Sequence, residues 1–200
     1  MTSVTCDLSV SVDGFVAGPR QTQDNPLGEG GMRLHEWHFD ATGEDQRIIE
    51  EWQGAPGAYV MGRNMFGPGR GAWDLDWRGW WGDEPPYGVP VFVLTHHERE
   101  PLTMGATTFH FVTDGVEGAL EQARHAAADR PVAVSGGAST VNQFLAHGLI
   151  EELHLHIAPV VLGAGERLFD GLPQLELEPV QVVASPLVTH LKYRVLAPAR

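Results

Sequence analysis

The 200-residue sequence contains one cysteine, Cys6, and only 13 Lys and Arg against 26 Asp and Glu, a formal net charge of -13. A lone cysteine excludes an internal disulfide framework and suits a reducing compartment. Nothing around Cys6 would lower its pKa, so it reads as a small buried strand residue. No stretch approaches the roughly 18 uninterrupted apolar residues of a membrane span. The start, MTSVTCDLSVSVDG, lacks a basic segment followed by an apolar run, so no secretory signal is expected and the expected location is the cytoplasm. The scarcity of basic residues argues against a nucleic-acid partner, because such binding draws on clustered Lys and Arg. Any phosphate must be held locally.

What is present is an alternation of strand and helix signals. Val4 to Val12 alternates and ends at Asp13-Gly14, a strand running into a turn, and Phe15 to Gly18 continues as a short apolar loop. Pro19 to Gly31 is polar and rich in Gly and Pro, an exposed loop. Asp40 to Gln53 reads as a helix, with Thr42 as N-cap, Ile48, Ile49 and Trp52 at helical spacing, and Gly54 as its stop. Strands follow at Ala58 to Met61, Pro90 to Thr95, Thr107 to Val112 and Val132 to Val134, with a helix at Gly115 to Ala128. Val141 to His147 is a further helix, Leu153 to Val161 a strand, and Leu175 to Ser185 with Val188 to Leu196 an antiparallel pair. The pattern predicts a single α/β domain over residues 1–200, with a mostly parallel central sheet, helices on both faces and an antiparallel C-terminal edge.

Three segments that could carry chemistry each follow an apolar strand. VAVSGGAST (132–140) turns through Gly136 and Gly137 straight into a helix, where backbone N–H groups and the helix dipole can hold a pyrophosphate. Paired glycines also make plain tight turns, and the G-x-G-x-x-G fingerprint is absent. In YVMGRNMF (59–66), Arg63 stands just past a strand end, where it can grip a phosphate or form a surface ion pair. VLTHH (93–97) ends in hydroxyl and imidazole donors that could complete such a grip or lie solvated. Their shared position favours a ligand, because open α/β sheets bind at the carboxyl ends of their strands.

The order SVDGFVAG, VMGRNMF, FVLTHH, VSGGASTVNQFL, EELHLHIAPVVLGAGERLF resembles the dihydrofolate reductase superfamily, and within it the branch of the RibD C-terminal domain of riboflavin biosynthesis. The resemblance spans Leu8 to Phe169. It implies an NADPH-dependent reductase, with Val16, Ala17 and Gly18 against the nicotinamide carboxamide. It further implies Gly62, Arg63, Thr95, His96 and His97 at the 2′-phosphate, and Gly136, Gly137, Ala138, Ser139 and Thr140 at the pyrophosphate. The substrate would be a small heterocyclic or carbonyl compound, as for dihydrofolate reductase and 5-amino-6-(5-phosphoribosylamino)uracil reductase, and the assembly a homodimer built through the C-terminal strands. The alternative is a protein that binds NADPH or another nucleotide without turnover. With no zinc-bearing deaminase motif among the 200 residues, the resemblance implies the reductase half alone.

On the substrate side, the pterin-binding carboxylate of dihydrofolate reductases has no single match here, with Glu36 and Asp40 both in the corresponding region. Asp7, Ser9 and Ser11 share one strand face, and His154 and His156 another. An H-x-H pair also suits a metal, but no third ligand has matching spacing, so no metal is expected. Asp13, His156 and Glu36 are the candidate proton donors, with Asp13 equally readable as a turn residue. The aromatic segments Trp37 to Phe39 and Trp73 to Trp81 are either core cover or a stacking wall.

Overall fold

The structure, a computed structural model, describes residues 2–52 and 56–196. Its strands are β1 (Val4–Ser11), β2 (Phe15–Ala17), β3 (Ala58–Gly62), β4 (Val91–Leu94), β5 (Leu102–Met104), β6 (Thr107–Val112), β7 (Val132–Val134), β8 (Glu152–Ala158), β9 (Glu166–Arg167), β10 (Glu176–Ala184) and β11 (Thr189–Leu196). The helices are α1 (Glu36–Phe39), α2 (Glu44–Trp52), α3 (Arg63–Phe66), α4 (Gly115–Ala127) and α5 (Ala138–Ala146). Nine strands form one sheet in the order β10-β11-β8-β1-β7-β3-β4-β6-β5. The six strands from β8 to β6 run parallel, and the antiparallel β11 and β5 flank them.

Period-2 alternation sorts the sheet into two faces. Val4, Cys6, Leu8 and Val10 of β1 join Ala58, Val60, Val132 and Val134 in a core closed by Val116, Leu120 and Ala123 of α4 and Val141, Phe144 and Leu145 of α5. Cys6 is fully buried there, and burial pushes its thiol well up, which leaves it unreactive. The opposite face has two halves. Over β3, β4 and β6, Met61, Val91, Val93 and Phe109 are covered by Trp73, Trp77 and Trp81. Over β1, β8 and β11, the inward residues are Asp7, Ser9, His154, His156, His190 and Lys192, brought level by the strand register. There α1 and α2 form the cover.

The strands and helices lie close to their expected places, with informative differences. Phe15 to Ala17, expected as loop, is a strand, because it pairs with Glu166–Arg167 some 150 residues away, a partner no local pattern shows. The helix expected from Asp40 begins at Glu44, where Asp45 N donates to Thr42 O; its expected stop, Gly54, lies outside the described residues. The Trp-rich segment is a cover. Trp81 stacks on Phe109 with ring centroids 5.7 Å apart, and Trp73 and Trp77 donate their indole N–H groups to the carbonyls of His97 and Phe66. Among the described residues no helix is long and apolar enough to cross a membrane.

Candidate active site

The three strand-end segments meet. Because β7, β3 and β4 are neighbours, their C-terminal turns stand side by side, with Gly62 N donating to Gly136 O at 2.8 Å. The approach is so close that a Cβ on Gly62 would lie 2.3 Å from Thr140 Oγ1. Gly136 has φ +107°, a conformation that favours glycine, and Gly137 is the N-cap of α5. Thr140 is buried, Ser139 exposed, and Thr95 closes β4 by accepting a hydrogen bond from His97 N at 3.1 Å, with His96 exposed beside it. Arg63 is half-buried. Its guanidinium donates to the carbonyls of Gly69, Gly71 and Ala72 at 2.8, 2.5 and 3.3 Å and lies 3.7 Å from the centre of the Trp73 ring, so it fastens the start of the Trp-rich loop.

Gly18 and its neighbours form one wall of an open hollow of about 450 Å³, shared with Arg20, Asn64, Arg70, Trp80 and Gly165. Backbone packs on backbone here: a Cβ on Gly18 would meet Glu29 O at 1.9 Å, and one on Gly165 would meet Ala17 O at 2.0 Å. Val16 and Ala17 sit in β2 behind this wall, half-buried and buried respectively.

A second cavity, about 330 Å³, opens on the polar half of the sheet. Its lining includes Thr5, Asp7, Glu51, Trp52, Tyr59, Ser135, Glu152, His154 and Lys192, the only lysine of the chain. Ser135 directly precedes Gly136, so the cavity reaches the strand-end turns from below.

Behind the cavity wall runs a line of buried ionisable groups. Asp7 Oδ1 lies 2.9 Å from His156 Nε2, His156 Nδ1 lies 2.6 Å from His190 Nδ1, and His190 Nε2 lies 2.9 Å from Asp45 Oδ1. His154 Nδ1 approaches Asp7 Oδ2 at 3.5 Å, and Glu152 joins His154 at 3.4 Å to Lys192 at 2.9 Å. Trp37 and Trp52 pack against these imidazoles, and the Trp37 indole donates to Ser9 Oγ at 3.0 Å. Burial alone would raise Asp7, but the charge of His156 and the hydrogen bonds from both β8 imidazoles outweigh it and hold its carboxyl far below the usual range. Burial, together with the nearby His156, pushes the His190 imidazole down against the pull of Asp45.

Of the three residues expected as proton donors, the structure places only His156 in this line. Asp13 instead accepts from Leu162 N at 3.0 Å and Gly163 N at 2.7 Å. A side-chain hydrogen bond from Ser11, followed by these amides, holds it ionised with a pKa of about 2, so it clamps a loop and lines neither hollow. Glu36 is exposed in the first turn of α1, because it is the adjacent Trp37 that turns toward the sheet; Asp40 is exposed as well. Sequence reading missed Asp45, Glu152, His190 and Lys192. The alternation of His190 and Lys192 along the last strand was a usable signal, but only once that strand is known to lie beside β8.

The RibD C-terminal domain matches residues 2–191. The chain belongs to the RibD C-terminal domain family. Its fold recurs in a Shewanella sp. PV-4 protein assigned to riboflavin biosynthesis, at 20% identity and TM-score 0.65, covering 98% of this chain and 100% of that one. It recurs also in the Thermotoga maritima diaminohydroxyphosphoribosylaminopyrimidine deaminase/5-amino-6-(5-phosphoribosylamino)uracil reductase, at 16% identity and TM-score 0.64, covering 98% of this chain. Acinetobacter baumannii RibD matches at 18% identity and TM-score 0.61, again over 98% of this chain. This RibD-family chain spans 57% and 58% of the length of the latter two proteins. No curated protein sequence matches it.

Proposed function

We propose that this chain is an NADPH-dependent reductase of a small heterocyclic or carbonyl compound, related to the 5-amino-6-(5-phosphoribosylamino)uracil reductases. The observation that carries the reading is the contact of the Gly62 and Gly136 turns, two glycine-lined strand ends with room for no side chain at Gly62, directly above a polar cavity. Glycines at such a place let phosphate oxygens reach backbone N–H groups at a helix N-terminus.

Gly136, Gly137, Ala138, Ser139 and Thr140 would hold the pyrophosphate, and Gly62, Arg63, Thr95, His96 and His97 the adenosine 2′-phosphate. Val16, Ala17 and Gly18 would flank the carboxamide. NADPH bound there supplies the hydride. The chain orients a flat polar ring in the cavity below Ser135, excludes water with the Trp52 side of α2, and provides a proton for the heteroatom of the reduced C=N or C=O bond. Arg63 reaches a phosphate by exchanging one or more of its loop carbonyls for it, a trade of neutral for charge-assisted hydrogen bonds. A homodimer would pair the β10 edges, where Val180 and Val182 are exposed, and solution mass reads this directly.

The deciding experiment is titration with NADPH and NADH, following nicotinamide fluorescence. NADPH binds more tightly than NADH, and Arg63→Ala weakens NADPH by roughly 10–100-fold, the loss of a charged hydrogen-bond pair, while leaving NADH unmoved. Binding of neither nucleotide sinks the reductase reading; binding without oxidation by any pyrimidine or carbonyl compound favours a non-catalytic nucleotide-binding protein.

A further inference from the structure

We propose that Asp7, His156, His190 and Asp45 form a buried proton store that holds one proton more than two neutral imidazoles and two carboxylates carry, and that Asp7 passes this proton into the cavity. Four groups in a row are joined by three contacts of 2.9, 2.6 and 2.9 Å, and each contact is a hydrogen bond only if one proton lies in it. Two neutral imidazoles bring two protons, and ionised carboxylates bring none. With only two, either a carboxylate lone pair faces a bare ring nitrogen or the two Nδ1 lone pairs face each other at 2.6 Å. Flipping a ring does not help, since it would put a carbon in the 2.6 Å contact and another against a carboxylate. The third proton is thus required by the geometry.

Its resting place follows from the neighbours. The Asp7 carboxyl is held ionised and both carboxylates face ring nitrogens as acceptors, so the third proton is carried by the imidazole pair and lies in the 2.6 Å contact between the two Nδ1 atoms. A lone buried cation would be costly, but carboxylates at both ends compensate it. The charged and titratable groups packed around the line are His154 and Glu152 on β8, Lys192 on β11, Glu51 on α2 and Tyr59 on β3, with Cys6 on the far face of β1. Asp45 is sealed at 4% side-chain exposure, while Asp7 keeps 22% and lines the cavity, so the line has one open end.

This deepens the reductase reading. Reduction of a C=N or C=O bond leaves an electron pair on the heteroatom that needs a proton. His156 passes its Nε2 proton to the Asp7 carboxylate, which then gives it to the heteroatom and is ionised again; the Nδ1 proton still bridges the imidazoles, the line drops to two protons, and one returns from solvent. His190 and Asp45 touch no substrate and act as positioning residues through His156.

The test is ¹⁵N and ¹H NMR of histidine-labelled protein without cofactor, at about pH 8, well above the ordinary imidazole value of about 6.5. One imidazole protonated on both nitrogens, with a far-downfield proton coupled to nitrogens of two histidines, is the expected result. Every imidazole carrying a single proton at that pH overturns the store. His190→Gln abolishes the signature with the backbone spectrum still folded; should that variant not fold, Asp45→Asn weakens the signature instead. With NADPH and 5-amino-6-(5-phosphoribosylamino)uracil as the probe, both variants lower kcat at least tenfold and move its pH profile without changing NADPH affinity. An unchanged kcat with the signature lost overturns the supply role. A wild-type protein that does not reduce this probe counts against that substrate for the reductase reading, and the NMR result decides the store regardless.

Discussion

One sheet face carries two covers built on opposite principles. Over β3, β4 and β6, the Trp-rich segment buries aromatic area and disposes of its polar atoms locally, each of Trp73, Trp77 and Trp80 donating its indole N–H to a backbone carbonyl. Over β1, β8 and β11, α1 and α2 bring Asp45 and two tryptophans onto a floor of imidazoles and carboxylates joined in a line from Asp7 to Asp45. The first cover gains stability in proportion to area removed from water. The second is all or nothing, because a buried polar line with one member missing leaves its neighbour desolvated and unpaired. The cavity of about 330 Å³ belongs to the second half, where Asp7, Trp52, Tyr59, Glu152, His154 and Lys192 line it and no residue of the Trp-rich segment does.

The comparison breaks most sharply at Asp45. Asp45→Ala removes the sealed end of the line and with it one of the two carboxylates that balance the shared proton, and the expected loss is about 3–5 kcal/mol, the usual cost of leaving a buried charge without its partner. Urea unfolding measures it. A loss under about 1 kcal/mol, the range of a surface pair, would show that water reaches the line and that it is not a closed network.

Trp81→Ala is the matching test of the other half. Trp81 is half-buried and stacked on Phe109, so the expected loss is about 2–3 kcal/mol, below that of a fully buried Trp. It should be nearly independent of pH, whereas the effect of Asp45→Ala should vary with pH, because Asp45 works against the burial that pushes the adjoining His190 imidazole down. Parallel pH dependences for the two variants would mean that the two covers are held by the same kind of interaction.

How much of this was legible in the sequence also follows the divide. The alternation of Val4 to Val10, the glycine turn at 136–137 and the helix patterns are local signals, and periods of 2 and 3.6 expose them. The apolar cover was visible as a cluster of tryptophans, though not its role. The polar floor was half visible: Asp7 stood on one strand face and His154 and His156 on another, but that these faces adjoin, and that Asp45 meets His190 145 residues away, follows only from how strands and helices assemble. Arg63 shows the same limit differently. Its position past a strand end was readable, while its three loop carbonyl partners depend on how the Trp-rich segment folds back.

The smallest expected effect concerns Asp13, outside both covers, which sharpens the comparison by showing a carboxylate that acts without an imidazole. Its pKa is lowered from 3.8 to about 2, with the Ser11 side chain the leading cause and the amides of Leu162 and Gly163 assisting. A depressed folded-state value means the clamp contributes fully above about pH 4 and is lost as pH falls through about 2. The amide proton shifts of Leu162 and Gly163 should therefore titrate with a midpoint near 2, and Asp13→Ala should abolish that titration and speed exchange of both amides at neutral pH. A midpoint near 4 would mean that the carboxylate is free and the loop is held by backbone pairing alone. The polar line should be indifferent to this change, because Asp13 shares no contact with it, so an altered histidine spectrum in Asp13→Ala would show the two sites to be coupled through β1.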